Sequence, residues 1–384
     1  MRSTPQMDAK EEFWVRVLLY DDVVSCVIES QKPFFLSKGV QKTSVGQFKG
    51  GNEVYTIRAE NGKLIVGGKQ FAVPQIVLQT KAPYVFSVNG LDYRGELKLI
   101  LASDGKSFDV INRLPLEGYL LGVVGAEMPD YWEPEALKAQ AVAARTYCLY
   151  IKNHFGKERR WDVTKTTANQ VYQGISAESP VIWKVVSETE GIVLVSKQSG
   201  RLIPSYYSSV CGGHTEDSIN VFGYEKESIK GVPCPYCKSI VKPGFYFWPD
   251  VTLNEETLSK KLLNRYPALS ALGKIVNIIS IKPSQYGDFT RPTYLRLIGS
   301  TGKKDTLRAE DFRLALDPTG TLIKSSTFDL KKENGTWIIS KGRGFGHSVG
   351  MCQSGAQGMA REGKSAEQIL MYYYPDTTLQ NIYK

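Results

Sequence analysis

The sequence predicts an α+β protein: a β-rich body of several lobes built around a buried Ala-rich helix. Three observations carry this. From Phe13 to about Asn112 the chain is a series of short alternating runs such as WVRVLLY, EVYTIRA, KLIVGG and ELKLILA, each broken by Gly, Asn or Asp, the pattern of half-buried strands. From Leu116 the period changes to that of a helix. After Lys341 glycines crowd the chain, and GRGFGHSVG reads as a loop, because glycine weakens regular structure.

LEGYLLGVVGAEM predicts a helix that stops at Met128-Pro129, since proline lacks the ladder donor and disfavours helix in its predecessor. Pro134 suits the first turn of a second helix, and EALKAQAVAARTYCLYIKN places strong helix formers at nearly every position. Ala136, Ala139, Ala143 and Ala144 leave a smooth face on which another element can lie close, so this helix is expected to be a buried spine. A helix is predicted near Val181 to Glu190, another is opened by Asn254, and strand-like text follows from Ile275 to Ile339. Ser365 caps a last helix, AEQILMYYY, ended by Pro375. The expected division is 13–112 as a β-rich part, 113–250 as a helical core with a cysteine-bearing loop, 251–340 as an α/β insertion lobe, and 341–384 as a Gly-rich loop with C-terminal helices.

Hydrophobic residues at 42% and charged residues at 23% are those of a soluble globular protein. The net charge of +9 is spread along the chain rather than gathered into one block. No basic recognition helix or RNP-type motif accompanies it, which points away from nucleic acid and towards an anionic polymer or membrane surface. No run of about 18 apolar residues occurs. The opening MRSTPQMDAKEEFW lacks the basic-then-apolar order of a signal peptide.

Glu127 falls at the C-terminal end of the first predicted helix, where unpaired carbonyls oppose negative charge and raise a carboxyl pKa. A carboxylic acid kept protonated near neutral pH can donate to a glycosidic oxygen. The competing reading is an ordinary exposed helix-end glutamate. Lys138 and Arg145 lie two turns apart on the next helix with Gln140 to the side; they read either as groups that orient Glu127 and bind substrate or as a solvated stripe.

LEGYLLGVVGAEMPDYWEPEALKAQAVAARTY, YYSSVCGGHTED and GRGFGHSVGMCQSGAQGMAREG resemble, in order and spacing, three signatures of the stage II sporulation protein D family, also called the SpoIID/LytB domain. The resemblance implies a substrate cleft and a peptidoglycan lytic transglycosylase, acting on glycan strands that a partner amidase has stripped of stem peptides. Glu127 matches the glutamate of the family's A-E-M-P signature and is the implied catalytic acid. Lys138, Gln140 and Arg145 match its polar helix positions, Tyr207 and Ser209 its second signature, and His347 and Gln353 its Gly-rich loop, all with implied roles in substrate binding or in orienting Glu127. Two departures stand out: Ser348 where the family commonly has Gly, and Cys352-Gln353-Ser354-Gly355 where it has Ser-Gln-Tyr-Gly. The implied location is the cell envelope. The rival reading is a non-catalytic, peptidoglycan-binding amidase enhancer.

Cys211-Gly-Gly-His214 and Cys234-Pro-Tyr-Cys237 are two ligand pairs with metal-site spacing. They predict a structural Cys₃His zinc site, with a Cys234–Cys237 disulfide as the alternative. Four protein ligands leave no open position, which weighs against a zinc hydrolase built on His214. Cys26, Cys148 and Cys352 read as small buried residues. Gly358 to Ser365 fits the G-x-x-x-x-G-K-[ST] phosphate-loop pattern, but its interior reads as helix rather than loop, so no nucleotide is expected.

Overall fold

The computed structural model describes residues 10–38, 43–51, 53–223 and 227–383. The chain divides into two compact units, one running to Val193 and including residues 380–384, the other covering Leu194–Leu379. The boundary falls within the 113–250 stretch, and the predicted insertion lobe lies wholly inside the second unit. Both units mix helix and strand, and the protein is a β-rich α+β fold. Residues 1–9, part of the opening read above for an export signal, lie outside the described residues. Among the described residues no helix is long and apolar enough to cross a membrane.

The first unit holds a seven-stranded sheet in the order 163–164, 14–23, 108–115, 96–101, 75–80, 34–38, 43–48, antiparallel except for the short first strand, and a six-stranded antiparallel sheet drawn from residues 25–94. The alternation in the sequence sets the register: Val15 and Val17 are fully buried and pair with Leu114 and Asn112. Strand Phe108–Pro115 runs directly into helix α1, Leu116–Glu127, which ends where Met128 turns extended before Pro129. Helix α2, Pro134–Phe155, is the predicted spine, with Ala136, Ala139, Ala143 and Ala144 all fully buried. Helix α3, Pro180–Glu188, is capped by Ser179.

In the second unit, two three-stranded sheets, 251–254 with 336–340 and 329–333, and 275–281 with 294–299 and 304–308, share a core with helix Glu255–Arg265. Leu258, Leu262, Leu295, Leu297, Trp337 and Ile339 form its centre. Asn254 caps the helix by accepting from the Thr257 N–H, as predicted. A helix at Ala309–Leu316 interrupts the stretch read as strands. Its eight residues are too few to display a helical period against the β-branched text around them, and burial of Phe312 decides the conformation. Ser365 caps Ala366–Tyr373 with a capping box to Gln368. The phosphate-loop pattern runs through helix Gln353–Arg361 into this cap.

Candidate functional site

Glu127 is the last residue of α1, and its carboxylate is held from outside the helix. The Val171 N–H donates to Glu127 Oε1 at 2.8 Å. Glycine makes this possible, because a Cβ on Gly125 would lie 2.0 Å from the Ala177 carbonyl oxygen. The missing side chain lets segment 171–177 lie against the helix, and the Gln173 N–H reaches the Gly122 carbonyl at 3.1 Å. The sequence gives Glu127 directly. It does not give Val171, whose contribution is a backbone group and leaves no signature in residue type.

Of the three polar residues of α2, two are buried and the third is paired with carboxylates. Arg145 is fully buried; its guanidinium donates to both oxygens of Glu117, at 2.8 and 2.6 Å, and to the Ile192 carbonyl at 3.0 Å. Gln140 is also fully buried. Neither side chain reaches solvent, so neither can touch a glycan in this conformation, and the expectation of direct substrate binding by them is corrected. The cause is the Ala-rich helix itself, which is enclosed nearly all round. Lys138 is partly exposed and bridges Glu135 and Glu188 at 2.9 Å each, tying α2 to α3. Hydrogen bonds to these two carboxylates raise its pKa.

In the second unit the other two signatures lie side by side. Tyr207 and Ser208 pair in parallel with Met351 and Cys352. The carbonyl of Ser209, an exposed residue, accepts from the Ser354 N–H at 3.1 Å and from its Oγ at 2.9 Å. Tyr207, Ser209 and Gln353 are thereby brought to one place, with Gln353 buried at the first turn of its helix. Ser354 is buried and serves this backbone contact. His347 accepts from the Val349 N–H at Nδ1, 3.0 Å, and packs edge-on to Phe222 and Tyr206. Burial lowers its pKa to about 4, against the opposing charge of Glu310 and, more weakly, a hydrogen bond to the Tyr207 backbone. It is a neutral ring with a fixed orientation.

Three of the predicted metal ligands meet and the fourth does not. The sulfurs of Cys211, Cys234, Cys237 and Cys352 lie within 4.8 Å of one another, all buried. His214 instead turns its Nδ1 to the Thr215 carbonyl at 2.6 Å and stacks on Tyr286 at 3.9 Å between centroids. Cys352 takes the place assigned to His214, because the parallel pairing of the two signature strands carries it to Cys211. All six cysteines are free thiols, so the alternative Cys234–Cys237 disulfide is also corrected. Gly355 gives the cluster its space, since a Cβ there would lie 2.6 Å from the Cys234 sulfur.

The donor set suits a tetrahedral thiophilic cation. Cys211 and Cys237 sulfurs stand 3.8 Å apart, and Zn–S bonds of about 2.3 Å imply tetrahedral S···S edges of about 3.8 Å. Burial pushes the Cys211 and Cys352 thiols well up, whereas hydrogen bonds from Cys211, Cys237 and Cys352 hold Cys234 well below the usual thiol range. The Cys211 and Gly355 N–H groups also point at the Cys352 sulfur, at 3.3 and 3.4 Å. The departure from the family's serine at position 352 was the available signal; it was obscured by 115 residues of separation from Cys237.

The family model for the stage II sporulation protein SpoIID matches residues 104–195, the stretch that holds Glu127 and α2. Stage II sporulation protein D of Bacillus subtilis is 33% identical over 287 residues, 70% of this chain and 75% of its own length. The chain belongs to the stage II sporulation protein D family. An uncharacterized protein of Brachyspira hyodysenteriae is 37% identical over 75% of this chain and 72% of its own. The amidase enhancer of B. subtilis is 32% identical over 76% of this chain but 44% of its own length. Within this SpoIID-family chain, the family model covers Glu127 and Val171 but none of the four clustered cysteines.

Proposed function

We propose that this chain is a lytic transglycosylase acting at the cell wall, outside the cytoplasmic membrane, on peptidoglycan strands stripped of stem peptides by an amidase. The observation that supports the reading best is Glu127, partly exposed at the end of α1 with one carboxylate oxygen fixed by the Val171 N–H. As the acid, Glu127 gives its proton to the oxygen linking muramic acid to glucosamine, and the C1–O bond breaks. The 6-hydroxyl oxygen of the same muramic residue closes on C1, and its proton returns to the Glu127 carboxylate. One carboxyl group suffices because the nucleophile is intramolecular. The products are a glucosamine-ended strand and a 1,6-anhydromuramic end.

Zinc is the metal proposed for the four cysteines. Thiolates would fill its tetrahedral shell, so it would cross-link segments and hold no water for chemistry. It would fix the segment from Tyr207 to Ser209 to the helix that opens with Gln353.

The similarity to an amidase enhancer supports a second reading, a non-catalytic wall-binding module. Digestion of peptide-free glycan strands by wild type and Glu127→Gln, followed by mass spectrometry of anhydro ends, separates the two. Transglycosylation predicts a loss on the order of 10²- to 10⁴-fold in the variant. Equal release by both proteins removes Glu127 as the acid, and binding without release by either leaves the enhancer.

A further inference from the structure

The second unit carries a groove between the start of the Gly-rich signature, at strand Gly342–Arg343, and the hairpin formed by strands 284–286 and 289–291. Two depressions of about 510 and 440 Å³ share Gln285, Gly287, Asp288, Phe289 and Arg343 as lining. At the centre is Arg343, whose guanidinium carbon lies 4.3 Å from the ring centre of Phe289 and 5.1 Å from that of Phe247. Aromatic faces pack against the cation, while its two terminal nitrogens point to an anion, here Asp288. Its present partner is weak. Asp288 sits at the hairpin tip, 79% exposed, with oxygens 3.3 and 3.4 Å from the two terminal nitrogens. That spacing matches a two-pronged carboxylate contact but is longer than a tight one. Phe247 is itself 44% exposed, and Lys238 adds a second cation 5.8 Å from its ring centre.

One side of the groove is anchored from beneath. Arg291, 1% exposed, anchors the hairpin by donating to the carbonyls of Cys211 and His214, both at 2.9 Å, and to Thr327 Oγ1 at 2.6 Å. It also pairs with the buried Glu216 at 3.5 Å. An aromatic wall and a guanidinium whose counter-ion sits on an exposed hairpin tip suit a sugar ring that bears a carboxylate.

We propose that this groove reads the stripped state of the glycan: Arg343 takes the free lactyl carboxylate of a muramic residue while the apolar face of the sugar lies on Phe247. This rests on the peptidoglycan reading above. Removing a stem peptide by amide hydrolysis converts the lactyl amide into a carboxylate, so each stripped muramic residue gains the anionic group that the guanidinium fits. A strand that keeps its peptide presents a neutral amide there.

The test is calorimetry on the full chain bearing Glu127→Gln, with a peptide-free glucosamine–muramic tetrasaccharide and the same tetrasaccharide carrying stem peptides. The stripped probe is expected to bind about tenfold more tightly, the scale of one charge-assisted pair. Arg343→Gln should bring the two probes to within about twofold, and Phe247→Ala should weaken both. Asp288→Asn, at an exposed tip, should tighten the stripped probe a few-fold, a gain that misfolding cannot produce. A folded Arg343→Gln protein that keeps the preference, or an Asp288→Asn protein with unchanged affinity, overturns the proposal. So does a poly(glycerol phosphate) chain that competes as well as the stripped glycan. Cleavage by the wild type with a preference indifferent to Arg343 removes the groove alone. A preference that depends on Arg343 in a protein that cleaves nothing removes the transglycosylase and leaves the groove.

Discussion

The Ala-rich run of α2 in the first unit and the Gly-rich run after Lys341 in the second are equally distinctive as sequence, yet they do opposite things. The first is nearly all buried: Gln140 and Arg145 have no exposed surface, and the guanidinium of Arg145 faces Glu117. The second opens as irregular backbone and is tied to distant segments by side chains where it turns regular, through Cys352 in the cysteine cluster and Ser354 on the Ser209 carbonyl. A polar residue inside a strong helical pattern can therefore be part of the scaffold. Polar residues on glycine-rich backbone depend on cross-links to hold any geometry at all.

The largest expected effect bears on those cross-links. Removal of metal by a chelator, or Cys352→Ser, should destabilise the second unit by several kcal/mol and leave the unfolding of the first in place, read as the splitting of one calorimetric transition into two. Elemental analysis should find one zinc per reduced chain, retained in His214→Ala and lost in Cys352→Ser. A folded, reduced protein without metal would end the zinc reading.

Next is Arg145→Ala, which leaves Glu117 only the Gly191 N–H and the Tyr383 hydroxyl as partners and should cost about 3 kcal/mol, measured by urea unfolding. If the loss appeared in glycan affinity with stability intact, the contrast between the two runs would fail.

A smaller effect follows from His347. The unfolded chain takes up a proton near the ordinary histidine value, while the folded ring does so only near pH 4. Between about pH 6.5 and 4 the unfolded state thus binds more protons, so the stability present at neutral pH falls with acidification and levels off below pH 4. The unfolding midpoint of His347→Gln, followed over the same range, should fall less steeply.

The smallest concerns Ser348, a non-glycine residue at φ 63° where the family commonly has glycine. Ser348→Gly should raise stability by roughly 0.5–1 kcal/mol, because the left-handed backbone is costly for a side chain. Its hydroxyl contact to the Cys211 carbonyl, at 3.5 Å, is too long to offset that.

Local chemistry made much of the fold readable. The end of α1 at Met128, the Asn254 and Ser365 caps and the burial of α2 depend on proline, capping side chains and alanine spacing, all contained in a few adjacent residues. Helix Ala309–Leu316 was hidden because its conformation depends on the burial of Phe312 in a core assembled from distant strands.

The same division runs through the candidate sites. By itself the sequence determined the family, Glu127 and three of the four clustered cysteines, because each sits in a motif whose meaning is carried by residue type and short spacing. Only the tertiary structure decided that Val171 holds Glu127, that Arg145 faces Glu117, and that Cys352 rather than His214 completes the cluster. Those outcomes depend on which backbone groups and buried side chains meet across long stretches of chain. Pairing between strands far apart in sequence fixes that, and no local pattern encodes it.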